Sequence, residues 1–172
     1  YQKGFGGHFH NDNSIAALRD VPSLVIATPS RGDDAVKMMR TCLALAKIDG
    51  RVIAFIEPIA LYMTKDLHAE GDGQWLFPYP PPTEAIPLGE PRVYFPEARD
   101  LVIITFGNGA HMSLRAAKRL RDQEGLRVRV VDLRWLAPLN VEAIADHARD
   151  VGRVLVVDEG RRSGGISEAI FT

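Results

Sequence analysis

A chain of 172 residues, 46% apolar and 25% charged, is long enough for one full domain or two small ones and has the composition of a soluble globular protein. Its formal net charge of −1 excludes nucleic-acid or membrane-surface binding through bulk electrostatics, and the lone Cys42 excludes an intramolecular disulfide framework and a multi-cysteine zinc site. No apolar run approaches the roughly 18 residues of a spanning helix and no signal peptide opens the sequence, so the expected location is the cytoplasm, where a free thiol stays reduced.

The chain opens on a glycine-rich loop carrying His8 and His10, and HNDNS (10–14) leads into a short helix, SIAALRDVP (14–22), stopped by Pro22. LVIAT (24–28) is a continuous apolar run of the kind found in strands buried on both faces. Ser30 is placed to cap the next helix, with Asp33 in the capping-box position, and Val36, Met39, Leu43 and Ala46 form its apolar stripe. RVIAFIEP (51–58) is the next buried strand, closed by Pro58. Continuous apolar strands alternating with amphipathic helices indicate a parallel sheet covered on both faces.

Residues 59–97 break this rhythm, because FPYPPPTEAIPLGEP (77–91) is too rich in proline for helix or inner strand and reads as a stiff connector. The alternation resumes at Asp100 with the strand LVIITF (101–106), the helix GNGAHMSLRAAKRLRDQ (107–123) and the strand VRVVDL (128–133). Asn140 then caps VEAIADHARD, RVLVVDE (153–159) is a third strand, and GGISEAIF (164–171) starts another helix. The fold class expected is α/β, in two doubly wound, mainly parallel-sheet units. The late start of the first unit and the early stop of the second read as an internal fragment of a larger protein.

Few side chains carry chemistry on their own. The GDG at 71–73 precedes a proline tract and reads as a turn. Gly107-Asn108-Gly109 lies between a strand and a helix, where backbone N–H groups can cradle an anion, but Met112 stands where a dinucleotide fingerprint needs its third glycine. A tight turn explains it better. His68, His111 and His147 are isolated and are expected at the surface. His8 and His10 lack a third ligand of recognisable spacing, so they read either as loop histidines or as proton-transfer groups near neutral pKa.

The order HNDNSIAALRDVPSLVIATPSRGDDA, helix, RVIAFIEPIALY resembles the β-subunit part of thiamine-diphosphate-dependent 2-oxoacid dehydrogenase E1 components, through His10, Pro22, Pro29, Glu57-Pro58 and Leu61-Tyr62. The second half, with VVDLRWLAPLN and VLVVDEGRRSGGISEAI, is similar to the transketolase-type C-terminal domain of the same proteins. The resemblance implies that residues 1–62 are the C-terminal part of an incomplete pyrimidine-binding domain, 63–98 a proline-rich connector and 99–172 a truncated C-terminal domain. It places His10 at the active-site channel as the catalytic residue of acyl transfer to a lipoyl arm, with His8 a weaker candidate. Asn11 and Asp12 either orient that imidazole or open the helix, and Glu57 matches a structural position.

The resemblance further implies thiamine diphosphate and Mg as cofactors, held mainly by residues outside this chain. The lipoylated E2 acyltransferase and the rest of E1 are the implied partners, in a homodimer or α2β2-type assembly. The chain alone is then expected to be inactive. Transketolase and deoxyxylulose-phosphate synthase share a similar histidine–helix–proline–strand order, which RWLAPL and EPIALY weigh against. A non-catalytic module for dimerisation or partner docking is the remaining alternative.

Overall fold

The computed structural model describes residues 15–161 and 163–172. In chain order these form α1 (Ile15–Arg19), β1 (Val25–Ala27), α2 (Gly32–Ile48), β2 (Ile53–Phe55), a 3-10 turn (Ile59–Leu61), β3 (Arg92–Tyr94), β4 (Leu101–Thr105), α3 (Asn108–Glu124), β5 (Val128–Asp132), β6 (Trp135–Ala137), α4 (Val141–Val151), β7 (Val154–Val156) and α5 (Ile166–Phe171). The architecture is mixed α/β with two sheets, each built on parallel strands. The first has the order β2-β1-β6 and the second β3-β5-β4-β7. β1 pairs in parallel with β2, and β4 in parallel with both β5 and β7. One antiparallel strand edges each sheet: β6 pairs with β1, and β3, from the end of the connector, pairs with β5.

β6 follows β5 after only two residues yet belongs to the other sheet. The chain turns at Arg134, whose φ of 60° is left-handed, and its carbonyl accepts the Thr28 N–H at 2.7 Å. A bulky residue in that conformation is costly and persists only where its surroundings hold it. The two sheets consequently share one apolar core. Ile15, Ile26, Val102, Ile104, Phe106 and Val131 pack in a single cluster that draws on α1, β1, β4 and β5. Burying each such side chain contributes about 1.5–3 kcal/mol.

Local signals account for most element ends. Asn140 caps α4 by accepting the Ala143 N–H at 3.0 Å. Gly125, with φ 68°, closes α3 through its N–H to the Leu120 and Arg121 carbonyls. At Gly109 a side chain is excluded, since a Cβ there would collide with the Thr105 hydroxyl.

Two expectations need correction. Ser30 does not cap α2: the helix begins at Gly32 with Arg31 at the cap position, and Ser30 is buried beneath it. The apolar stripe Val36-Met39-Leu43-Ala46 is also not the packed face. Asp34, Met38 and Cys42 are buried, while Leu43 is 63% exposed. The helix is rotated because Asp34 is drawn inward to two arginines.

Candidate functional site

A cleft of about 340 Å³ opens at the carboxyl ends of β1 and β2, where ligands of open α/β sheets characteristically bind. Its walls come from three segments: Pro29 to Gly32 at the start of α2, Glu57 to Tyr62 after β2, and Trp75 to Phe77 of the connector. At the mouth the Tyr62 hydroxyl donates to the Glu57 carboxylate at 2.5 Å, a bond that raises the phenol's pKa. Arg31 lies 3.7 Å above the centre of the Phe77 ring and forks onto Asp33 at 2.9 and 3.1 Å. Burial works against the charge on Asp33, but the hydrogen bonds and charges of Arg31 and Lys37 hold its carboxyl below the usual range. Among the described residues that line the cleft, the Arg31 cation is thus already paired, and Glu57 adds an acidic side chain at the mouth.

Behind the cleft a buried ion network joins the two sheets. Asp34, fully buried, accepts from Arg92 at 2.8 and 2.6 Å, and Arg134 approaches it at 3.4 Å. Arg134 also donates to the Glu90 and Pro91 carbonyls at 3.0 Å each, which locks the left-handed turn between β5 and β6. The Asp34 hydrogen bond holds the Arg92 guanidinium firmly protonated. Arg–carboxylate forks of this kind fix both distance and direction.

Asp132, at the carboxyl end of β5, is different. It is fully buried, and neither carboxylate oxygen has a hydrogen-bond partner among the described residues. Burial pushes its pKa up to about 7, and the negative charge of Asp34 adds to the effect. Ser30 and the Arg134 backbone N–H lie close enough to oppose it without making a well-formed hydrogen bond. A carboxyl that changes charge near neutrality beside a cleft is a physical marker of functional sites.

The residues singled out from sequence fall in several places. His8, His10, Asn11 and Asp12 lie outside the described residues. Gly107-Asn108-Gly109 is a tight turn into α3, and Asn108 donates to the Glu159 carboxylate at 2.6 Å, so the chain's own anion sits at that helix start. The GDG at 71–73 is a turn whose carboxylates are spent on backbone donors. Asp72 accepts N–H groups of Leu67, His68, Ala69 and Gln74, and Asp66 accepts those of Gly71 and Gly73. Those bonds hold Asp72 well below the ordinary carboxylate range and leave it unsuited to a metal ion. No cluster of three or more potential metal-ligating side chains occurs among the described residues.

His111 departs from the surface position expected of it. It is buried, with Nε2 2.9 Å from the Asp66 carbonyl and its ring edge-on to Trp75, and burial lowers its pKa. His147 is half-buried against Arg129 at 3.1 Å. The sequence reading missed Asp34, Arg92, Arg134 and Asp132. The one available signal was charge inside otherwise apolar strands, in VRVVD and at the start of α2.

Residues 93–172 match the family described as transketolase, C-terminal domain. The chain is 32% identical over 166 residues to 1-deoxy-D-xylulose-5-phosphate synthase of Gloeobacter violaceus, covering 96% of this chain and 24% of that protein. It is 28% identical to the 2-oxoisovalerate dehydrogenase subunit beta of Bacillus subtilis (96% and 46% covered) and 30% identical to the pyruvate dehydrogenase E1 component subunit beta of the same organism (95% and 47%). The chain therefore spans about half the length of these beta subunits and a quarter of the synthase. Among solved structures, a split-gene transketolase described as an inactive beta4 tetramer superposes with a TM-score of 0.71 at 23% identity, over 94% of this chain and 47% of that one. A 2-oxoglutarate:ferredoxin oxidoreductase from Magnetococcus marinus shares the fold with a TM-score of 0.60 at 16% identity, over 86% and 37%. Residues 93–172 thus match the C-terminal domain of transketolases, and the whole chain is similar to the β-subunit part of 2-oxoacid dehydrogenase E1 components.

Proposed function

We propose that the chain is the β-subunit-type part of a thiamine-diphosphate-dependent E1 component that decarboxylates a 2-oxo acid and passes the acyl group to lipoamide. The observation that carries this reading is the charge of the cleft. Arg31 is paired with Asp33 and the mouth presents Glu57, which opposes the nearly double charge of a phosphorylated substrate more than the single charge of a 2-oxo acid and does not oppose an uncharged lipoyl arm. The identity to a sugar-phosphate synthase keeps that reading as the alternative, and the same charge weighs against it.

In this proposal residues 1–62 belong to the pyrimidine-binding domain, 63–98 connect, and 99–172 are the C-terminal domain. When bound, the cofactor supplies the electron sink for decarboxylation. The described residues do not fit its magnesium–diphosphate group, since Asp72 is saturated by backbone N–H donors, so the rest of E1 would hold it. The chain alone would then be inactive. It would work in the cytoplasm with a lipoylated E2 acyltransferase, in a homodimer or α2β2-type assembly.

His10 is the acid in this scheme. As the acyl group bonds to one sulfur of the dithiolane, the S–S bond breaks and the departing sulfur takes a proton from the imidazolium. In the intact enzyme His10→Asn should cut transfer to a lipoyl domain by about 10²–10⁴-fold, the usual worth of general acid catalysis, and cut decarboxylation with an artificial electron acceptor far less. His8→Asn should change both little. Equal loss of the two activities would make His10 a positioning residue. Turnover of sugar phosphates without oxidation of any 2-oxo acid would favour the synthase reading.

A further inference from the structure

We propose that the amino ends of β4 and β5 carry a second binding site, for a small organic anion with an apolar body, formed between α3 and the connector. A cavity of about 210 Å³ opens there. Its floor is the buried side chains of Ala98, Leu114, Ala117 and Val128, and its lip is the ring of Phe95, 42% exposed. Lys118, Arg121 and Arg127 stand around the rim. A hollow of about 180 Å³ adjoins it across His68 and Lys118 and adds Arg115 and Arg119. Val128 begins β5 and Asp132 ends it, so this site and the cleft's buried carboxyl lie about 13 Å apart along the strand.

Three features separate this cavity from an accidental surface dent. The first is charge. Five cations converge on a chain of net charge −1, against the acidic side chains of Glu97, Asp100, Asp122 and, beside His68, Asp72. Asp122 is shared between Lys118 at 2.5 Å and Arg121 at 3.0 Å, so one negative charge serves two positive ones. The second is backbone conformation. Phe95 has φ 55° directly before Pro96, which is unfavourable for an aromatic residue and costs on the order of 1–3 kcal/mol. That geometry places an exposed ring beside the cations. The third is His68, half-buried at the divide. Burial lowers its pKa, and Lys118, Arg121 and Arg115 reinforce this against Asp72, so at neutral pH the ring is uncharged and can both donate and accept a hydrogen bond.

The chemistry follows from these parts. Guanidinium forks match the paired oxygens of a carboxylate or phosphate, and the floor takes one ring or a short branched chain. The volume is below the usual 300–1,000 Å³ or so of sites for larger ligands, which limits the occupant to that size.

Calorimetric titration of the full chain with phenyl phosphate, in about 150 mM NaCl, tests the site against inorganic phosphate. Phenyl phosphate should bind at least about tenfold more tightly, because only it uses the apolar floor. Arg121→Gln with Arg127→Gln should weaken phenyl phosphate at least tenfold. Phe95→Gly should weaken phenyl phosphate and leave inorganic phosphate unchanged, and this variant folds readily because glycine suits φ 55°. Equal affinity for the two phosphates overturns the proposal. So does phenyl phosphate binding that neither variant alters, or no binding at all.

Discussion

The shared apolar core and the ion network behind the cleft do the same mechanical job, holding two sheets together, with opposite physics. In the core, Ile26 of β1 meets Val102, Ile104 and Val131 of the second sheet through contacts that are weak singly and without direction. In the network, Asp34 meets Arg92 and Arg134 through bonds whose distances and angles are fixed. The core would tolerate a small shift of one sheet against the other, whereas the network would not. The labour is divided: apolar burial supplies most of the attachment, and the buried charges set the geometry at the carboxyl ends, where Ser30, Arg31 and Glu57 must face one another.

The largest effect should come from breaking the network on one side. Asp34→Ala leaves the Arg92 and Arg134 guanidinium groups facing each other without their common carboxylate. Removing one partner of a buried pair typically costs about 3–5 kcal/mol, because the other charge stays desolvated. Urea unfolding should show a loss of that size. A loss under about 1 kcal/mol would mean that water reaches the arginines and that the network does not set the joint.

Asp132→Asn should act in the other direction and with pH. A carboxyl whose pKa rises on folding binds its proton more tightly in the folded state, so its contribution to stability declines as pH climbs from the ordinary carboxylate value toward about 7, and is flat above that. Asparagine has no charge to bury. The variant should therefore gain on the wild type by roughly 1.4 kcal/mol at most per pH unit between about pH 4 and 7. The comparison must be a difference between the two proteins. Asp33, Asp72, Asp100 and Asp122 have depressed pKa values, and their contributions run the opposite way, lost as pH falls through the acid range. A pH-independent gap would place a counter-charge on Asp132.

These two regions also differ in how legible they were. The apolar strands stood out as continuous runs, and VRVVD and LVIIT paired in the register that their patterns allow. The connector's proline content correctly ruled out helix and inner strand over residues 77–91, although Arg92–Tyr94 directly after it adds an edge strand. The network was invisible because Asp34 lies 58 residues from Arg92 and farther still from Arg134, and nothing local in GDDA or EPRVY announces the pairing. The same pairing explains the misread face of α2. MMRTCLALA carries apolar residues on two sides, so periodicity cannot choose between Met39-Leu43 and Met38-Cys42, and the inward pull on Asp34 decides it. His111 escaped for a similar reason, since its partners Asp66 and Trp75 belong to a loop remote in sequence. The GDG turn, by contrast, was readable from position alone.

The smallest expected effect is the control for the comparison. Ile104→Val removes one methylene from a side chain that is 0% exposed near the carboxyl end of β4, opposite Val131 on one neighbour and Val156 on the other. The backbone is indifferent to the change, as valine keeps the β-branch and its strand preference. What is lost is a methylene's burial and the contacts around a small void, about 0.5–1.5 kcal/mol. Because the core is non-directional, that loss should appear as a uniform drop in stability from pH 4 to 8, with the Asp132 pH dependence unchanged. It should also add, within about 0.5 kcal/mol, to the effect of Asp34→Ala in the double variant, as separated sites do. Strong non-additivity, or a shift in the pH at which Asp132 titrates, would show that a methylene's movement in the core reaches the carboxyl ends. The apolar core would then share in setting the cleft, and the division of labour between the two regions would fail.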